Sequence, residues 1–348
     1  MRRGVPREAW LVSPRFDLLA FLAPALLALA LVPLAPAGGD LPLPGWVIAV
    51  LLVDVAHVWA TLHRSYLDLD MRARRTRALV IAPIAAYAIG VALHLRSPAW
   101  FWTALAYLAV WHFVRQQYGW IALLHRNEGV VKRFDRRLDV AAIYLATLAP
   151  LVWWHAHLPR RFDWFVSGDF LAQLIPEASG AAAIALSCAV LALFVGRQIQ
   201  RWWRGEGVWI TKIVVVVTTA ACWYVGIVLT DSDWAFTFTN VLIHGVPYLG
   251  FVWIYKQRSQ DTPRGWVPYY LVLVALAFME EWGWDRLVWH DHGAIFPGAE
   301  WGSSADDLAW LVPLLALPQA THYLLDAFIW RRVDARDVRR STPGPASR

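Results

Sequence analysis

Four histidines carry most of the chemistry this sequence offers. His57, His112, His244 and His322 lie in four separate apolar runs, each with a polar residue one helical turn away. In LLVDVAHVWATLHRSYLD, Asp54, His57, Thr61, Arg64 and Asp68 recur at i, i+3, i+7, i+10 and i+14 and form one stripe of a helix. His63 stands six residues from His57, so it points about 120° away at about 100° per residue and is a secondary candidate. WHFVRQQYGW gathers His112, Arg115, Gln116 and Gly119 on one face. NVLIHGVPY sets Asn240 one turn before His244, with Gly245 and Pro247 loosening the helix behind it. PQATHYLLDAFIWR aligns Gln319, His322, Asp326 and Trp330 after Pro318, which frees a carbonyl just before the site. Imidazole with carboxylate suits iron, manganese or zinc, whereas copper(I) calls for Cys or Met. The expected ligands are therefore His57, His112, His244 and His322 with Asp54 and Asp326. They would hold one or two divalent transition-metal ions, iron foremost. Beside them, Thr61, Arg115, Gln116, Asn240 and Gln319 are the candidate catalytic residues. The amides would fix imidazole tautomers, and Arg115 would hold a carboxylate or an anionic oxygen species.

The elements that position these residues follow from composition. Of 348 residues, 58% are hydrophobic and 17% charged, with 23 Trp and a mean hydropathy of +0.42. Soluble domains carry roughly 25% charged residues. The apolar excess comes in blocks of about 20 residues, which excludes a disulfide scaffold, a soluble Rossmann or barrel enzyme and a disordered chain. The expected fold is an all-α polytopic integral membrane bundle of about ten spans, in one domain over 1–340 with a short flexible cytoplasmic tail at 341–348. The spans are placed at 18–36, 45–67, 78–95, 99–124, 139–157, 179–197, 209–230, 234–255, 266–280 and 307–330. With the N-terminus in the cytoplasm, 27 of the 32 Lys and Arg fall on inner segments and four (Arg96, Arg160, Arg161 and Arg286) on outer ones. That bias places both termini in the cytoplasm and makes this a plasma or inner membrane protein. It also accounts for the net charge of +6 without nucleic acid.

Subtracting the charges of loops and span ends leaves Arg115, Asp54 and Asp326 inside spans, on the same helices as the four histidines. Each such residue costs roughly 2.5–3.5 kcal/mol to insert. The second, fourth, eighth and tenth spans all run from outside to inside. Their histidines agree in depth within about 8 Å at 1.5 Å per residue. The remaining features are read more plainly. His290, Asp291 and His292 form a solvated loop, and His94, His125, His155 and His157 are rim residues. The charges from Asp68 to Arg77 serve topology. RRFDWFVSGDFLAQLIP lies along the interface, and Trp pairs at 153/154, 202/203 and 282/284 mark it. Ala35-Pro36-Ala37 makes a poor cleavage site, so the first run is read as an uncleaved span. Cys188 and Cys222 sit in apolar runs with no CxxC.

The layout of DVAHVWATLHRSYLD, WHFVRQQYG, NVLIHGVPY and PQATHYLLDAFIWR resembles polytopic membrane enzymes with histidine-coordinated iron. It is nearest to the Brp/Blh-type membrane β-carotene dioxygenases, and more broadly similar to fatty-acid desaturases and hydroxylases. The HxxxH and HxxHH boxes of the desaturases are absent, since no two histidines stand four apart within a span. The resemblance implies an iron-dependent oxygenase. Together these readings give a metal-dependent membrane oxygenase or hydroxylase acting on an apolar lipid, isoprenoid or carotenoid, partnered by the bilayer and an electron-donor protein. Two alternatives stand beside it. One is a non-covalent haem protein for electron transfer, with His112 and His244 as axial ligands. The other is a transporter with an Asp54, Arg115 and Asp326 relay.

Overall fold

A computed structural model describes residues 10–128, 132–172, 174–257 and 265–330. The expected tail at 341–348 lies outside them. The described residues are helical with no strand, as backbone buried in hydrocarbon must satisfy its own hydrogen bonds. Ten rods follow one another: α1 (Pro14–Leu34), α2 (Leu43–Arg64), α3 (Leu69–Arg96), α4 (Pro98–Asn127), α5 (Arg133–Ala156), α6 (Glu177–Arg204), α7 (Ile210–Leu229), α8 (Asp233–Gln257), α9 (Trp266–Trp284) and α10 (Ala305–Ile329). Each overlaps an expected span, though several run longer, as α3 starts nine residues before 78 and α6 ends seven residues after 197. Eight are long and apolar enough to cross a membrane; α4 and α9 fall short of that measure. The reason lies in their own side chains: α4 carries His112, Arg115, Gln116 and Gln117, and α9 carries Glu280 and Glu281.

Caps set several rod starts. The Ser13 hydroxyl accepts from Phe16 N–H, the Asp68 carboxylate from Met71 N–H, and Ser304 with Asp307 forms a reciprocal capping box. The axis of the bundle is α8, with 89% of its most apolar window buried against 17% for α6. α6 instead shows Leu186, Leu193 and Ile199 outward. Two local departures shape the centre. A π-helical stretch over Val47–Val55 widens α2 just ahead of His57. α10 breaks at Ala316, and its second half restarts with Pro318 in the first turn.

Several expectations are corrected here. RRFDWFVSGDFLAQLIP is only partly at the surface: Asp169 accepts backbone N–H bonds from Trp164 and Phe165, and Phe162, Asp169 and Phe170 are buried, whereas Leu171 and Leu174 stay exposed. Phe162 then stacks between Trp154 and Phe236. Burial pushes the Asp169 carboxyl up to about 6. Trp154 and Trp284 belong to the core, whereas Trp202, Trp203 and Trp282 stay exposed. Among the described residues, seven charges assigned to inner segments are buried: Asp17, Arg64, Glu128, Asp135, Asp139, Arg201 and Lys212. Arg64 and Arg126 donate to the Ile329 and Trp330 carbonyls, so two cations satisfy the last turn of α10.

Candidate metal centre

The four histidines meet. One ligand atom from each of His57, His112, His244 and His322 lies within 4.8 Å of the others, and all four residues are buried. His112 is central. Its Nε2 stands 3.0 Å from His244 Nε2 and 3.1 Å from His322 Nε2. His57 presents its ring edge to His244 and His322 at centroid separations of 4.7 and 4.9 Å, and neither of its ring nitrogens has a hydrogen-bond partner.

The surroundings aim these rings. The Thr61 hydroxyl lies 2.5 Å from His322 Nδ1 and 2.9 Å from the Tyr248 hydroxyl. His112 Nδ1 looks to Asp326 Oδ2 at 3.7 Å, and Asp326 is itself fixed by the Trp330 indole N–H at 2.7 Å. His57 Nδ1 looks to Asp54 Oδ1 at 3.4 Å. The two carboxylates thus stand behind the imidazoles, outside the group of converging nitrogens. Gln116 donates to the His244 carbonyl at 2.8 Å, and the His244 ring stacks on Phe113 at 3.9 Å with a 7° tilt. Gly245 permits the close crossing of α8 and α2. A Cβ there would stand 2.7 Å from Val53 Cγ1 and 3.3 Å from the Val53 carbonyl, beside His57.

The donor set fits a metal ion. A neutral imidazole Nε2 can donate or accept one in-plane hydrogen bond, yet His112 Nε2 faces two others and His57 Nε2 faces none. With metal–nitrogen bonds of about 2.0–2.1 Å, adjacent ligand nitrogens stand about 3.0 Å apart at right angles and about 3.3 Å apart in a tetrahedron. The observed 3.0 and 3.1 Å separations match such edges.

The other expected residues lie apart from the nitrogens. Arg115 donates to the Tyr144 hydroxyl and sits over the Tyr118 ring. Asn240 donates to the Phe236 carbonyl and Thr239 hydroxyl, leaving its buried Oδ1 without a partner. Gln319 lines a cavity without joining the cluster. His63 turns away to Lys256 Nζ at 2.7 Å, as its helical phase implies.

Three cavities approach the cluster. One of about 230 Å³ meets His112 and holds Arg115, Arg126, Tyr323, Asp326 and Trp330. One of about 260 Å³, mostly apolar, runs from Tyr66, Pro83 and Trp59 to Thr61 and His322. The third, about 460 Å³, holds Asp54, Asn240 and Gln319. On α2, α4, α8 and α10 the residues lining the third cavity, Phe113 and Tyr323 apart, precede the histidine. Those lining the first on α4, α8 and α10 follow it, Trp111 and His112 itself apart. The four rods therefore run the same way past the cluster.

Sequence periodicity missed Tyr248 and Tyr323, although Tyr248 lies one turn from His244. It also missed a fully buried ionic group, in which Lys212 Nζ contacts Glu128 and lies 2.7 Å from Asp139 Oδ2, while His125 Nε2 lies 2.9 Å from the same oxygen. The ammonium already stands between the carboxylates. A lysine abutting IVVVV was the available signal. Comparison with known family models, curated proteins and solved structures returns no match.

Proposed function

We propose that the chain is a metal-dependent integral membrane enzyme, an oxygenase or hydroxylase acting on an apolar lipid or isoprenoid-type substrate. In this reading ten spans cross a plasma or inner membrane with both termini in the cytoplasm, supported by the distribution of Lys and Arg. The observation that carries the function is the convergence of the His112, His244 and His322 Nε2 atoms beside an unpartnered His57, all buried. Imidazole ligation suits iron, and a bound iron would supply dioxygen activation.

The chain's own residues would do the rest. Thr61 and Asp326 hold His322 and His112 in one tautomer each, and Gln116 fixes the backbone of α8 at His244. The apolar cavity ending at His322 and Thr61 would admit a hydrocarbon chain while excluding water. Arg115 and Arg126 would hold a polar or anionic end of the substrate in the cavity that meets His112. A separate electron-donor protein would deliver the reducing equivalents that hydroxylation consumes.

The 3.0 Å contact favours a bare ion over haem, because two axial imidazoles stand about 4 Å apart, twice a metal–nitrogen bond of about 2 Å. Cavities on both sides of the cluster favour a second reading, a transporter with Asp54, Arg115 and Asp326 as its relay. Metal analysis with a visible spectrum on detergent-purified protein tests the first. We expect about one or two equivalents of a transition metal, no Soret band, and loss of most metal in His112→Ala; less than about 0.3 equivalents after growth in metal-rich medium overturns it. Ion flux in proteoliposomes that survives metal stripping would favour the second.

A further inference from the structure

The 460 Å³ cavity is acidic beyond what the metal centre needs. Asp54, Asp163, Asp233, Glu281 and Asp291 line it, and no Lys or Arg is among its lining residues. The outer arginines Arg160 and Arg286 are paired to Asp231 and Asp285 instead. The five carboxylates form a gradient of exposure. Asp163 and Asp291 are exposed, Asp233, Glu281 and Asp54 are half-buried, and His57 beyond Asp54 is buried. A second, independent observation points to a ligand. Asn240 is 1% exposed, lines the same cavity, and its Oδ1 has no hydrogen-bond partner. A buried amide oxygen left this way costs about 1–3 kcal/mol unless something meets it.

We propose that this cavity is the route by which a hydrated divalent cation reaches the four-histidine centre, an inference that rests on the metal reading of those histidines. Carboxylate and amide oxygens bind such ions loosely and with water retained, while imidazole nitrogens bind a transition metal more tightly. The chain therefore places weak donors at the mouth and strong donors at the end. The volume is ample, since six waters occupy roughly 180 Å³ at about 30 Å³ each. The walls are aromatic, including Trp46, Phe113, Trp164 and Tyr323. Low-dielectric walls around charges of one sign focus the field and raise cation on-rates by roughly 10- to 1000-fold. Asp54 is the last oxygen donor, 3.4 Å from His57 Nδ1.

The test uses the Asp163→Asn/Asp233→Asn/Glu281→Gln variant of the full chain, which leaves every imidazole and Asp54 in place. Chelator-stripped protein is mixed with Co²⁺ at about 20 mM salt, and uptake is followed by its visible bands. The variant should load at least about tenfold more slowly, reach the same final Co²⁺ content, and catch up with the parent at about 0.5 M salt. Separately, Mn²⁺ binding is followed by electron paramagnetic resonance in a His112→Ala/His244→Ala background, where the cavity remains and the centre does not. There the three acid substitutions should weaken Mn²⁺ binding at least about tenfold. Unchanged Co²⁺ rates or unchanged Mn²⁺ affinity overturns the route. If the parent takes up no Co²⁺ while the Mn²⁺ arm behaves as expected, the four-histidine reading falls and the cation-binding cavity stands. Melting curves of all variants in detergent exclude simple misfolding.

Discussion

His112 is the residue on which the centre turns, because its Nε2 faces two other imidazole nitrogens while its Nδ1 faces a carboxylate. Removing a neighbour that only orients a ligand should have a graded effect. Thr61→Val deletes the hydroxyl between His322 and Tyr248 at nearly constant volume, and should weaken metal binding by about 10- to 100-fold without unfolding the protein. His63→Ala is the control. His63 sits with Lys256 and Tyr269, so metal content measured on the purified protein should not change. The histidines were legible in the sequence because an ionisable group in an apolar run is expensive, and few are present without reason. Their exact partners were not. Helical phase gives a face, but only packing decides that Asp54 and Asp326 stand behind the rings and that Tyr248 reaches Thr61.

Between rods, the decisive contact is the crossing of α8 over α2 at Gly245. Gly245→Ala would drive a methyl into Val53, and over-packing of this kind costs about 1–3 kcal/mol. The melting temperature in detergent should fall, and metal occupancy should fall with it, since the shift separates His57 from His244. A second junction is the Lys212 group between α4, α5 and α7. Lys212→Met should destabilise the protein by about 3–5 kcal/mol, by leaving two buried carboxylates uncompensated. Adding Glu128→Gln and Asp139→Asn to it should restore most of the loss, as denaturation in detergent would report. Each rod was legible as an apolar block, but the charged turns that extend α3, α5 and α6 beyond the hydrophobic stretch were not, because hydropathy stops where the helix need not. The burial of Arg64, Glu128, Asp139 and Lys212 was not, because a charge at a block's edge looks the same whether it meets water or a partner on another rod.

For the whole molecule, the charge distribution implies a sidedness that labelling can read. With Cys188→Ala as background, Ser167→Cys should react with a membrane-impermeant thiol reagent added to intact cells, whereas Glu206→Cys should react only after permeabilisation. The reverse pattern would invert the orientation and place the acidic cavity on the cytoplasmic side. The shared direction of α2, α4, α8 and α10 was legible from span parity, and the cavities on either side of the cluster agree with it. That shared direction has a consequence for assembly. Helices that run the same way cannot be neighbours in a chain of short loops, so the four imidazoles are spread from residue 57 to residue 322. During synthesis the first three can gather early, but the fourth arrives only when α10 is inserted. An ion that requires all four will therefore bind a chain that has reached its last rod and reject an unfinished one. Metal capture would then mark completion of the bundle, and nascent chains stalled before α10 should leave the membrane machinery metal-free.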